Sequence, residues 1–128
     1  MIVLDEDIDS IQREKIRARR IHFRQIGREV GRFGMKDWND IIPLLHTLKR
    51  PTFFTRDHGF YSAKLGHATY CLVYLDVAFD EVANYIRIFL RHPHFRADSE
   101  RMGKVVRVRS SGLTYWDVDD QAEHVIAW

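Results

Sequence analysis

Residues 51–61 read PTFFTRDHGFY: an apolar pair, Phe53-Phe54, runs straight into Thr55-Arg56-Asp57 and a glycine-containing loop. Thr52 to Thr55 has the β-branched and aromatic character of a strand, so this strand delivers a carboxylate at its exit. Comparable units flank it. Ile2-Val3-Leu4 is a short apolar strand ending at Asp5-Glu6-Asp7. Tyr70 to Leu75 (YCLVYL) shows little polar alternation, as in a strand covered on both faces, and ends at Asp76. Ile21, Phe23 and Gln25 alternate as a further strand, and Val105, Val106 and Val108 indicate a last one.

Helical periodicity fills the intervals. Ile8, Ile11 and Ile16 fit one side of a charged helix over about residues 8 to 19. Trp38, Ile41, Ile42, Leu45 and Leu48 follow an i, i+3, i+4, i+7 pattern. Val82, Ala83, Ile86, Phe89 and Leu90 form a third stripe behind Asp80, a candidate cap. Such alternation predicts an α/β fold of three layers, with right-handed crossovers and a central, mostly parallel sheet flanked by helices. All 128 residues fit one domain, in which Tyr115 to Trp128 is expected as a short helix packing on the body or on a partner.

Pro43 bears on where the second helix starts, because proline is tolerated in a first turn but disruptive deeper in. Asp40 as N-cap would place Pro43 in the first turn, which leaves Asp37 free for other work.

The composition is that of a globular chain, 45% hydrophobic and 30% charged, with a net charge of only +2. No apolar stretch is long enough to cross a bilayer, and the opening MIVLDEDID lacks the basic-then-apolar layout of a signal peptide. Cys71 is the single cysteine, within an apolar run. A cytoplasmic protein without membrane contact is the expectation. Arg13 to Lys36 is strongly basic, the usual footprint of phosphate binding or else a solvated face. Gly27, Gly31 and Gly34 argue against one continuous basic helix. His92-Pro-His94, the one close histidine pair, lacks a third zinc ligand.

In parallel sheets, ligands bind outside the carboxyl ends of the strands. Asp5 and Asp57 fall on that edge, and Asp37 lies in a loop that opens there. Converging carboxylates repel unless a cation neutralises them. Mg²⁺, a hard ion content with one or two carboxylates and several waters, suits such a site.

The segments VLDEDI, EVGRFGMKDWNDII and FFTRDHGF, in this order and spacing, resemble the PIN-like ribonuclease superfamily, above all its small toxin-type members from toxin–antitoxin pairs. The resemblance covers roughly residues 1 to 90. It implies an Mg²⁺- or Mn²⁺-dependent endoribonuclease, with RNA and a small antitoxin protein as partners and a homodimer as an option. Carried over, Asp5 is the first-strand metal ligand with Glu6 beside it, Asp37 the acid at the helix entrance, and Asp57 the acid after the third strand. The family's helix-entrance acid commonly stands three residues before an aliphatic one, whereas Asp40 occupies that place after Asp37. Asp37 and Asp40 therefore both remain in play, with Pro43 favouring Asp37. Asp76 either adds a further acid or caps the next helix, and Glu29 matches an auxiliary acidic position. Thr55 either orients the carboxylates or makes a local strand hydrogen bond. Arg56, with Arg28, Arg32 and Lys36, is the expected RNA contact. Two alternatives stand beside this: a non-catalytic PIN-like module that binds nucleic acid or protein, and an interaction subunit using the aromatic tail.

Overall fold

Phe53 and Phe54 point to opposite faces of one sheet and both are fully buried, so strand β3 (Thr52–Thr55) has a core above and below it. The computed structural model describes residues 1–128. Seven strands run in the order β2-β1-β3-β4-β5-β6-β7, where β1 is Ile2–Leu4, β2 Arg24–Gln25, β4 Cys71–Leu75, β5 Lys104–Arg109, β6 Gly112–Asp117 and β7 Glu123–Ile126. The first five are mutually parallel; β5-β6 and β6-β7 are antiparallel.

Register explains the two cores. Val3, Phe53, Leu72 and Val105 form one row and pack with Ile41 and Leu45 of helix α2 (Trp38–His46). Leu4, Phe54, Val73 and Val106 form the next row, on the other face. They meet Ile16 of α1 (Ser10–Ala18) and Val82, Ala83, Ile86 and Phe89 of α3 (Val82–Arg91). Burying each of these large side chains contributes roughly 1.5–3 kcal/mol, which makes the alternating rows the main source of fold specificity. The three-layer α/β architecture expected from the sequence is present, and no helix is long and apolar enough to cross a membrane.

Six local expectations are corrected. First, α1 and α3 share a face, yet β1→β2 and β4→β5 step in opposite directions along the sheet. Those two crossovers therefore have opposite hands, and uniform right-handedness does not hold. Second, the 115–128 tail is not helical. A two-residue link, Ser110-Ser111, turns β5 back into β6, whose Thr114, Tyr115 and Trp116 suit a pleated surface.

Third, Asp37 rather than Asp40 is the N-cap of α2: its side chain accepts from the Asp40 amide at 3.3 Å, and Pro43 lies inside the helix. The carbonyl that Pro43 deprives of a partner belongs to Asn39, which is exposed and solvated, so the helix tolerates the break. Fourth, Ile11 is 65% exposed and Gln12 is buried in its stead. Fifth, Asp80 sits in a 3-10 turn and does not cap α3. The Ala83 amide is received instead by Gln12 Oε1 at 3.0 Å, across from α1. The predicted strand at Ile21 to Gln25 shortens to its last two residues.

Candidate functional site

Parallel pairing of Leu4 with Phe54 brings the exits of β1 and β3 side by side. The Asp5 amide extends the ladder by donating to the Phe54 carbonyl at 3.0 Å. From there the Thr55 hydroxyl donates to Asp5 Oδ2 at 2.7 Å and accepts from the Asp57 amide at 3.0 Å. A single fully buried hydroxyl thus ties together two carboxylate-bearing residues from different strands. The hydroxyl thus bonds both a carboxylate of the neighbouring strand and a local backbone amide.

Asp5 is 4% exposed, and its second oxygen, Oδ1, is buried with no hydrogen-bond partner. An orphaned buried acceptor is costly and uncommon in native proteins. Burial pushes the Asp5 carboxyl up to about 6; the Thr55 hydrogen bond opposes the rise, and the nearby negative charge of Asp7 adds to it. Asp57 is exposed. Its Oδ1 accepts from the Gly59 amide at 2.9 Å, capping a 3-10 turn at His58–Phe60 that buried Phe60 pins to the core.

Asp5, Asp7, Ile8, Lys36, Arg56 and Asp57 line one cleft of about 400 Å³ at the carboxyl edge of the sheet. Arg56 is steadied by its bond to the Val77 carbonyl at 3.2 Å. Around the cleft, Gln25 holds the loop after β1. Its amide donates to the carbonyls of Asp5 at 3.0 Å and Ile8 at 2.8 Å, and Arg13 in turn donates to its oxygen at 3.2 Å. Glu6 spends its carboxylate on the Gly34 amide, at 3.1 and 3.2 Å to its two oxygens.

The remaining sequence candidates lie elsewhere. Asp37 does not line the cleft, and its carboxylate caps α2. Asp40 faces Arg32 at 3.8 Å. Asp76 neither caps α3 nor lines the cleft: Arg107 holds its Oδ2 at 2.7 Å, with Arg109 at 3.6 Å. Glu29 and Arg28 line a separate groove with Arg13, Arg17, Gly27 and Phe33.

Sequence reasoning missed Asp7 and Gln25. A glutamine continuing the Ile21-Phe23 alternation was a readable sign of a buried polar anchor. Asp7 was within the acidic run but had no register to distinguish it.

No three His, Cys, Asp or Glu side chains converge tightly enough to enclose a metal ion by themselves. A hard cation needs less than that, since one or two carboxylates and water suffice for Mg²⁺. The unpartnered Asp5 Oδ1 and the exposed Asp57 carboxylate are the oxygens that would serve such an ion, in a cleft that Lys36 and Arg56 also line. Comparison with protein-family models, with curated proteins and with solved structures returned no match.

Proposed function

We propose that the chain is a Mg²⁺- or Mn²⁺-dependent endoribonuclease of PIN-like type, serving as the toxin of a toxin–antitoxin pair. The supporting observation is the hydrogen-bonded unit Asp5–Thr55–Asp57, set in a cleft with Lys36 and Arg56 at the carboxyl edge of a parallel sheet. Asp5 and Asp57 are the residues that would hold the cation. When bound, it supplies a more acidic water and stabilises charge at the phosphodiester. Thr55 fixes one Asp5 oxygen, which leaves Oδ1 as the free donor. Above a pH of about 6 Asp5 is mainly the carboxylate that this role requires. Lys36 and Arg56 neutralise and orient the phosphate.

RNA cleavage with Mg²⁺ or Mn²⁺ tests the proposal, comparing the unmodified chain with Asp5→Asn and Asp57→Asn. The expected result is metal-dependent cleavage that both substitutions abolish. Equal cleavage by both variants in clean preparations would remove the assignment.

One observation favours a second reading, a non-catalytic PIN-like binding module: Asp37, the expected third acid, is engaged as a helix cap outside the cleft. Calorimetric titration with Mn²⁺ separates the two, since saturable binding lost in Asp57→Asn supports the nuclease and absence of binding supports the module.

A further inference from the structure

Phe33 is the most exposed aromatic side chain of the basic segment, at 72%. It is not a loose side chain. Gly27 has φ +87°, and a Cβ there would stand 2.9 Å from Phe33 Cδ1, so the ring rests on the bare glycine backbone. The loop carrying it is tied at several points. The Gly27 amide donates to the Val30 carbonyl at 2.9 Å, Ile26 bridges Val30, and the Gly34 amide is held by Glu6. Val30 and Met35 are buried on either side of the ring position. The chain therefore holds a large apolar ring open to solvent on a braced loop, where burial would be the favourable course.

Its surroundings are cationic. Phe33 lines a groove with Arg13, Arg17 and Arg28, opposed within the groove by Glu29 alone. Arg17 also pairs with Glu14, and Arg13 with Gln25. The groove is linked to the cleft through side chains and chain: Arg13 reaches Gln25, whose amide holds the Asp5 carbonyl, and Lys36, three residues beyond Phe33, lines the cleft itself. An aromatic face among guanidinium groups matches an unpaired nucleotide, with a π-face for the base and charge for its phosphates. A paired base offers no free face to Phe33.

We propose that the Phe33 groove is a nucleotide-stacking subsite, in which one unpaired base stacks on Phe33 while Arg17 and Arg28 take the flanking phosphates, feeding the strand toward the Asp5–Asp57 cleft. The subsite rests on the polynucleotide reading of that cleft, but it does not require cleavage.

The test is binding without divalent metal. Fluorescein-labelled oligo-adenylate and oligo-uridylate of about twelve nucleotides, within the span of single-strand grooves, serve as probes in EDTA with anisotropy as the readout. Phe33→Ala is expected to weaken binding by roughly tenfold or more, and Phe33→Trp to retain it. Arg28→Ala is expected to weaken binding and flatten its salt dependence. A blunt duplex of matched sequence is expected to bind more weakly and to be indifferent to Phe33. Unchanged affinity in Phe33→Ala overturns the proposal. So does an equal Phe33 effect on the duplex, or no measurable single-strand binding by the unmodified chain. Thermal melting of each variant guards against misfolding, and if Phe33→Ala unfolds, Phe33→Leu, apolar but without a π-face, takes its place, with loss of binding expected and unchanged affinity overturning the proposal. If Mg²⁺-dependent cleavage is absent while Phe33-dependent binding persists, the nuclease reading fails and the subsite stands. If cleavage occurs and Phe33→Ala binds normally, the subsite alone fails.

Discussion

The Thr55 hydroxyl donates to Asp5 Oδ2 at 2.7 Å, joining β3 to the exit of β1 inside the protein. It is also the acceptor for the Asp57 amide, so one side chain positions both acids. Thr55→Val keeps the shape and removes the hydroxyl, leaving Asp5 without its hydrogen-bond donor and the Asp57 amide without its acceptor. We expect a loss of about 1–3 kcal/mol in denaturant unfolding and a further rise in the Asp5 pKa, read by NMR titration. An unaltered Asp5 titration would show that the hydroxyl does not support the carboxylate.

Asp5 makes metal-free stability depend on pH with a definite sign. Burial raises its pKa from 3.8 unfolded to about 6 folded, so the native state binds the extra proton between those values. Its contribution to stability is complete below 3.8 and declines as pH rises through about 6. The deprotonated group then costs roughly 3 kcal/mol. Asp5→Asn removes this charge. In EDTA it should stabilise the fold near pH 7.5 and confer little at pH 4. Parallel urea melts at the two pH values are the check.

Metal binding should reverse that cost. Mn²⁺ added at pH 7.5 is expected to raise Tm of the unmodified chain, by mass action on the folded state. The rise should shrink at pH 5, where Asp5 is largely protonated, and disappear in Asp57→Asn. Differential scanning fluorimetry across a Mn²⁺ series measures all three.

Asp37 separates capping from charge. Asparagine caps helices about as well as aspartate, so Asp37→Asn should leave stability within a few tenths of a kcal/mol, whereas Asp37→Ala should cost about 1 kcal/mol. Denaturant unfolding distinguishes them. Loss of cleavage in Asp37→Asn at unchanged stability would place its charge in the reaction.

Gln25→Met tests the anchor beneath the loop after β1. Its amide holds the Asp5 and Ile8 carbonyls, and losing these buried bonds should cost about 1–3 kcal/mol. Amide hydrogen exchange should accelerate across residues 5 to 9 more than in α3. Uniform acceleration would mean that Gln25 contributes only to global stability.

Periodicity carried much of the fold. The span Thr52 to Thr55, the face of α2 at Ile41 and Leu45, and the α3 stripe were legible because apolar residues at period 2 or 3.6 must face a core. The tail was not legible, because the β-branched and aromatic run at Thr114 to Trp116 becomes a strand by pairing with β5, a long-range partner that local pattern does not specify. The Asp5 and Asp57 placement also followed from sequence, since a strand exit on a parallel sheet has one edge to open on. Asp37 and Asp76 are the contrary cases. Both sit near that edge in the chain, but a free backbone amide captured one and Arg107 the other. Strand exits readable from apolar periodicity narrowed the carboxylates that could reach the edge. Which of them line the cleft was set by packing, which brings donors from distant segments such as Arg107 within reach of Asp76 and leaves Asp5 Oδ1 without a partner.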